Sequence, residues 1–533
     1  MAASHADGVL LSAVNETAVT SLYARGLVWF NIPVDAGDHV SIPPLEGFVS
    51  NKTASVSIDP LETLLYQIFV AASESVTVSE LADILDTSVE NVKVGISMAC
   101  RLGFCNKLDA GAGAGARAPV EAQIDTPSAG STRVIATPQR DSLANGTHSS
   151  QQKEQQEHHQ PAAKEKKSIA FVVDSAITGF LMMGALTPDV KKHSVTLFEG
   201  GRVYGAGVID ELVRGLEASV DMSKDFEGEM LELGRTSRSM AAVLRCLLST
   251  AASSTELLRK ESFEQLADKE QAERILVRSH DVLICAAGLK GPALPIKDAA
   301  NSSGPTLFGP SPLCLTPWIN VALYKRSGSG PRSIVLPAGS MLETDELFHG
   351  APKVLVWKWT DAHEPQTLNA RVALFEINTM LQTSAVMIQP VPCTDVEKPV
   401  FVPLPFVRNP DGSVDAFTSI DGDRIPIEVE ARVESALESM GLLRNVGTVS
   451  FLPPGTTGQP WVPLGIAIGF PLTPVGLCEH LCSRLATTAF LSPESLARQR
   501  EYQIMLEKAV TEAKGTDGDH ATWPTATAVL VNP

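Results

Sequence analysis

No stretch of the chain reaches the roughly 18 to 20 uninterrupted apolar residues that a membrane helix requires. Val9 to Phe30 comes nearest, and Asn15, Glu16 and Arg25 interrupt it. That stretch also lacks the basic n-region and small-residue cleavage site of a secretory leader. Cysteine is sparse: eight residues scattered through 533 form no disulfide framework, which points to a reduced, cytosolic compartment. The Asn-x-Ser/Thr sequons at Asn15, Asn51, Asn145 and Asn301 are then chance matches. Basic residues are outnumbered 43 to 61, and the net charge of −18 argues against nucleic acid or an anionic bilayer as the main partner. Charged residues reach only 20% and aromatics 5%, against 44% hydrophobic, which is the balance of a folded chain and not of a disordered one. At 533 residues a single core is exceeded, so two or three are expected. No repeat of fixed period is visible, which removes propellers and solenoids.

What is present is clearest from Pro60 to Leu108. Leu61, Leu64, Leu65, Ile68 and Phe69 recur at helical spacing, and Val78 to Leu85 and Val89 to Leu102 give two further apolar-faced helices. Thr77 or Ser79 is placed to cap the second, with Glu80 in its first turn, and Ser88 the third, with Glu90 and Asn91 behind it. Asp86-Thr87 leaves a short turn between them, which is helix-turn-helix geometry, and Arg101 to Cys105 reads as a helix stop before a wing strand. Recognition helices bring Lys and Arg to phosphates and base edges. The third helix offers only Lys93 and Arg101 and sets Glu90 beside them, so this winged helix is expected to contact protein or to be structural.

Upstream, Leu10 to Tyr23 has helical periodicity, Leu27 to Ile32 reads as a strand, and Ile42 to Val49 is extended by its prolines. Residues 9–108 are thus expected to form one winged-helix-like domain. Residues 109–167 pass through AGAGAGARAP and SSQQKEQQEHHQ with almost no large apolar side chain, the composition of a disordered linker. His148, His158 and His159 there read as a solvated tract, not a metal site. Residues 168–513 are expected to form a mixed α/β domain, and 514–533 a loose tail. Within it Ile169 to Val173 and Asp281 to Ala286 read as buried strands, and Val208 to Leu216, Ser237 to Leu248 and Phe263 to Val277 as helices. From Pro310 onward strands are expected to dominate, at Trp318 to Tyr324, Ser333 to Leu336 and Val354 to Trp359, with Ser327 to Pro331 as a hairpin loop. Thr367 to Leu381, Ile427 to Met440, Val475 to Leu485 and Pro493 to Ala509 read as helices, and Ser384 to Val391 as a strand. The fold class expected is α+β: an N-terminal winged-helix unit, a disordered linker and a larger mixed α/β domain.

Each constellation with possible chemistry has a plainer reading beside it. Asp174 follows a hydrophobic strand in VVDSAIT, the position of the nucleophile in haloacid-dehalogenase-like phosphatases. Their second Asp, two residues on, is here Ala176, which would leave the leaving group unprotonated. Asp174 or Ser175 as a helix cap is preferred. Gly200 to Gly207 lacks the third glycine of a dinucleotide loop, and Pro454 to Gly458 lacks the lysine of a phosphate loop, so both read as turns. Cys478 and Cys482, with His480 between them, resemble half a zinc site, but no second pair stands at a matching spacing. His193 and His280 have no nucleophile motif beside them, and Cys100 and Cys105 read as core. No catalytic, cofactor or metal residue is therefore assigned. Trp318, Trp357, Trp359 and Trp461 are mostly core by expectation, exposed ones being good interface anchors. Leu472-Thr473-Pro474 and the following helix offer an apolar face for a partner.

An ordered series of blocks goes further. SLYARGLVWFNIPV, SIPPLEGFVSN, ETLLYQIFVA, SMACRLGFCNKL, FVVDSAITGFLMMGALTPDVKKHSVTLFE, GPSPLCLTPWINVALYK, TSAVMIQP and WVPLGIAIGFPL resemble, in order, the proteins called family with sequence similarity ninety-one. The resemblance implies a non-enzymatic adaptor, cytoplasmic and at the trans-Golgi network, that helps capture endosome-derived vesicles. It further implies assembly with a WD-repeat propeller scaffold, and with a TBC-domain adaptor bridging to golgins. Membrane association would be peripheral and through partners, with no nucleic acid and no cofactor. The blocks correspond to the family's middle onward, so its N-terminal helical region, tied to the TBC-adaptor contact, is expected to be missing. Competing classes are a divergent phosphatase-like hydrolase using Asp174 and a winged-helix nucleic-acid regulator.

Overall fold

A computed structural model gives the fold. It describes residues 16–25, 32–43, 60–74, 76–108, 168–183, 188–222, 228–250, 254–266, 268–289, 294–296, 304–311, 313–348, 351–358, 366–391, 399–404, 425–453, 461–514 and 529–531. The 109–167 segment, the strand expected at Leu27, Trp359 and the Pro454 to Gly458 loop lie outside these.

The N-terminal elements are α1 (Glu16–Ala24), β1 (His39–Ser41), α2 (Pro60–Ala71), α3 (Val78–Leu85), α4 (Val89–Arg101) and β2 (Asn106–Leu108). Thr77 and Glu80 cap α3 reciprocally: Glu80 N–H donates to Thr77 Oγ1 at 3.2 Å and Thr77 N–H to Glu80 Oε2 at 3.0 Å. Ser88 caps α4 by accepting the Asn91 N–H at 3.3 Å. Gly103, at φ +78°, turns the chain out of α4, and β2 then pairs antiparallel with β1.

A second group follows: β3 (Ser168–Val173), α5 (Ser175–Met183), α6 (Pro188–Gly200), β4 (Arg202–Val203), α7 (Ala206–Met222), α8 (Glu229–Thr250), β5 (Thr255–Arg259), α9 (Lys260–Glu264), α10 (Lys269–Ser279), β6 (His280–Cys285) and β7 (Thr306–Phe308). Its strands form one sheet in the order β4-β5-β3-β6-β7, parallel except for β4. All of β3 is buried, as a strand covered on both faces must be. The one helix expected at Phe263 to Val277 is two, because the chain breaks after α9 and Asp268 caps α10, accepting Glu270 N–H at 2.9 Å.

The remainder comprises α11 (Thr316–Ser327), β8 (Ser333–Leu336), β9 (Lys353–Lys358), β10 (Gln366–Asn369), α12 (Ala370–Leu381), β11 (Val386–Val391), β12 (Val400–Leu404), α13 (Ile427–Ser439), β13 (Gly447–Leu452), β14 (Val462–Ile468), α14 (Val475–Thr488), α15 (Pro493–Lys514) and β15 (Val529–Val531). Two antiparallel sheets result, β10-β9-β11-β8-β15 and β12-β13-β14. Period-two alternation splits the first between two cores: Val354, Val356 and Ile388 face the α12 side, and Leu355, Trp357 and Met387 the α11 side.

Three expectations are corrected here. Trp318 to Tyr324 is not a strand but the body of α11, buried on every side with Pro317 in its first turn. A helix apolar all round has no period to distinguish it from a strand. Ser327 to Pro331 is accordingly no hairpin loop: Gly328, at φ +58°, ends α11 and the chain passes into β8. The tail is also engaged, since Val529–Val531 pairs antiparallel with β8.

Residues 1–108 and 166–533 form one compact unit. Ile68, Phe69, Leu81, Ile84 and Ile96 belong to the same apolar core as β3, β5 and β6. The N-terminal helices and the parallel sheet thus share an interior.

Candidate functional site

In an open parallel sheet the ligand crevice lies beyond the carboxyl ends of the strands, where adjacent connections leave in opposite directions. β5 pairs with one edge of β3 and β6 with the other, which puts that place between Asp174 and Ala286. It is filled by the chain itself. The Phe470 N–H donates to the Cys285 carbonyl at 3.0 Å, and the Phe470 carbonyl accepts the Ala287 N–H at 2.7 Å. The fully buried Phe470 ring meets Phe171 edge-on, with centroids 6.1 Å apart. Gly469, at φ +115°, permits this approach, since a Cβ there would stand 2.6 Å from the Cys285 carbonyl oxygen.

Asp174 sits beside that plug and serves the backbone. It is 3% exposed, and its Oδ1 accepts the Ile177 N–H at 3.0 Å at the start of α5. The next amide, Ser175 N–H, donates to Glu261 Oε1 at 2.9 Å. At the neighbouring end of β5 the charges are also paired internally. Lys260, 1% exposed, reaches Glu264 at 3.2 Å, and Arg259 Nε donates to Ser262 Oγ at 3.0 Å with its guanidinium 4.8 Å above the Phe198 ring.

Among the described residues, a highly charged buried cluster lies where the N-terminal helices meet the parallel sheet. Arg202 Nη1 donates to the Ala72 carbonyl at the end of α2, and its Nη2 to both Glu256 carboxylate oxygens at 3.1 Å. His280 Nε2 lies 3.3 Å from Glu256 Oε2, and Arg202 is stacked 4.4 Å over the Tyr204 ring. Burial alone would raise the Glu256 pKa, but Arg202 and His280 outweigh it and hold the carboxyl at about 2. Tyr204 OH lies 3.2 Å from Ser41 Oγ, which donates to Glu74 at 2.7 Å. Gln271 Nε2 donates to the Leu85 carbonyl, and Arg278 bonds Glu80 at 2.9 Å. A pocket at this junction is lined in part by Ile42, Phe69, Arg202 and Tyr204. Sequence reading missed the cluster because TELLR reads as polar; the hint was a charge flanking an apolar pair.

The other candidates find structural uses. Gly201 and Gly205 have positive φ in the turns around β4. Cys478 and Cys482 face α8: Cys478 donates to the Ser239 carbonyl at 3.6 Å, and Cys246 to that of Cys482 at 3.6 Å. Among the described residues no group of three His, Cys, Asp or Glu is placed to hold a metal. His193 lies 3.5 Å from Glu211. Trp318 and Trp357 are buried. The apolar face of α14 is taken up by the core through Leu477, Leu481 and Leu485, so it does not await a partner.

Open apolar surface lies elsewhere. On α12 the inner face packs Ala373, Ile377 and Leu381, while Phe375 is 75% and Val372 53% exposed. Met341, 72% exposed, is brought to the same helix because its neighbour Leu342 exchanges two hydrogen bonds with Asn378, at 2.8 and 3.0 Å. On α4 the outward side carries Val94 and Leu102, and Lys93 is held by Glu90 at 2.9 Å. A phosphate-reading helix would present several cations there; this one sets the exposed Arg101 beside aliphatic side chains.

The family described as FAM91 C-terminus matches residues 165–455, and FAM91 N-terminus matches 5–117. The chain belongs to the FAM91 family. The second match corrects the expectation that the family's N-terminal region is missing: that region is represented by the α1–α4 segment. Among solved structures the chain is similar to the D-cycloserine synthetase DcsG, at 15% identity over 60% of this chain and 99% of that one, with a TM-score of 0.32. It is also similar to a D-alanine–D-alanine ligase from Bacillus anthracis, at 13% identity over 51% and 94% with a TM-score of 0.32. A RimK domain protein ATP-grasp from Sphaerobacter thermophilus follows at 14%, 45%, 92% and 0.30. Likeness at these scores says nothing about fold or activity in a FAM91 chain. No helix among the described residues is long and apolar enough to cross a membrane.

Proposed function

We propose that this FAM91 protein is a non-enzymatic trafficking adaptor that helps capture endosome-derived vesicles at the trans-Golgi network. The family resemblance supplies the partners: a WD-repeat propeller scaffold, and a TBC-domain adaptor that bridges to golgins. With an N-terminal family segment present, the TBC contact belongs in the proposal too. Membrane association is peripheral and through these partners, without nucleic acid or cofactor.

The observation that carries the reading is the open apolar face of α12, where Phe375, Val372 and Met341 stand exposed without serving the core. The Phe470-filled crevice and the capping role of Asp174 support contact over chemistry. Residues 60–108 act as a winged-helix-type unit whose inner helices serve the junction, leaving α4 for protein contact. The adaptor works by offering exposed apolar faces to its partners.

Affinity purification of the tagged full chain tests this. The propeller protein is expected to co-purify, and Phe375→Asp with Val372→Asp to reduce recovery at least about tenfold while leaving the melting temperature unchanged. Recovery of the wild type alone, without trafficking proteins, would sink the proposal.

A further inference from the structure

The chain between β8 and β9 is laid along α12 by contacts at both ends. Gly339 N–H donates to the Leu381 carbonyl at 2.7 Å, at the C-terminal end of the helix. About one turn earlier on the helix, Asn378 exchanges its two hydrogen bonds with Leu342. Phe348 then enters the same apolar core as Ala373 and Ile377, and Ala370 N–H donates to the Pro352 carbonyl at 3.0 Å at the start of the helix. The segment therefore runs antiparallel to α12, and residues 343–346 fall between the Asn378 and Phe348 anchors, beside the middle turns.

That stretch is Glu343-Thr344-Asp345-Glu346, and each of these residues is exposed. On the helix itself Glu376 is exposed next to Phe375, and Arg371 is the exposed cation one turn before it. The face that carries Val372, Phe375 and Met341 thus has an apolar centre and a mainly negative border. An apolar patch by itself is indifferent to the charge of what covers it, but a charged border is not: opposite charge speeds encounter and like charge opposes it. Two copies of this face would set acid against acid, and an anionic bilayer would be repelled in the same way. Basic side chains meeting the acids at the rim would keep much of their water and so avoid the cost of burying charge.

We infer that this face receives a protein segment whose apolar side chains are flanked by lysine and arginine. The inference rests on the reading of α12 as the docking face of the adaptor, and adds the chemistry of what docks. Phe375, Val372 and Met341 supply the contact area that excludes water. Glu343, Asp345 and Glu346 select among apolar segments by their charge and raise the rate of encounter.

The test uses the full chain and two synthetic amphipathic peptides, one of leucine and lysine and one of leucine and glutamate, with binding read by fluorescence anisotropy. The lysine peptide is expected to bind and the glutamate peptide not, and raising the salt from about 50 to about 500 mM should weaken binding at least about tenfold. Glu343→Lys combined with Asp345→Lys and Glu346→Lys should cost at least about tenfold in affinity at low salt and remove most of the salt dependence. Phe375→Ser with Val372→Ser should cost a similar factor, about tenfold, at both salt concentrations. Melting temperatures should not move, because all of these side chains are exposed. No binding of the lysine peptide to the wild type, or equal binding to the wild type and either variant, would trace any attraction to the net charge of −18 and overturn the inference. The reading beneath it is tested apart by the co-purification described above: absence of the propeller protein together with the expected peptide results faults the trafficking role and supports the surface chemistry, and the opposite pair of results faults the surface chemistry alone.

Discussion

Phe470 meets Phe171 edge to face, ring centroids 6.1 Å apart at 88°, and in doing so occupies the place where an open parallel sheet usually receives a ligand. The contact joins the strand β3 to the segment between β14 and α14 and is reinforced by backbone bonds on both sides of Phe470. A crevice stopped in this way contributes to stability.

Phe470→Ala should therefore cost about 3 to 5 kcal/mol, the range for truncating a buried aromatic ring whose surroundings collapse only in part. Urea unfolding monitored by far-UV circular dichroism measures it. A loss under about 1 kcal/mol would mean that the crevice is loosely filled and open to ligands.

Asp174 separates capping from catalysis. Asn caps a helix about as well as Asp, so Asp174→Asn should keep nearly all stability while Asp174→Ala loses about 1 to 2 kcal/mol. Phosphate esters should be hydrolysed by neither variant nor the wild type. Turnover by the wild type that vanishes in Asp174→Asn would restore the hydrolase reading.

The Arg202–Glu256–His280 cluster makes stability depend on acid. Glu256 has a folded pKa of about 2 against an ordinary value of 4.5, a depressed carboxyl. Its contribution is therefore complete above about pH 4.5 and is lost as pH falls toward 2, because protonation must overcome the pairing with Arg202. Glu256→Gln should flatten this acid limb. At neutral pH it should cost about 3 to 5 kcal/mol, since Arg202 is then buried without its counter-charge. Unfolding midpoints between pH 2 and 6 compare the two proteins. An unchanged acid limb in the variant would show that Glu256 titrates normally.

The shared core predicts that the N-terminal segment stays bound after the chain is cut. A protease site inserted between residues 109 and 165 should, once cleaved, leave 1–108 and 166–533 co-eluting on size exclusion. Arg202→Met should loosen that association by removing the bond to the Ala72 carbonyl and the pairing with Glu256. Separate elution of the wild-type pieces would favour two independent domains.

Short-range chemistry made some of this legible in advance. Thr77 and Glu80 are three residues apart, as are Ser88 and Asn91, so the caps of α3 and α4 needed no knowledge of the fold. Asp174 as a cap and β3 as a wholly buried strand followed equally from local pattern. Where burial is complete, pattern fails. α11 between two sheets has no polar face to reveal its period, and β5 hides Glu256 and Arg259 inside the protein, where partners distant in sequence such as Arg202, His280 and Phe198 make them tolerable.

By itself, then, the sequence determined the family, the capped helices and the want of any apolar run as long as a membrane helix needs, because each depends on residues adjacent in the chain or on composition. The tertiary structure alone decided that Phe470 stops the crevice, that the N-terminal helices share a core with the parallel sheet, and that Phe375 faces outward. Those outcomes rest on which distant surfaces exclude water from one another. Neither spacing nor charge along the chain encodes that choice locally.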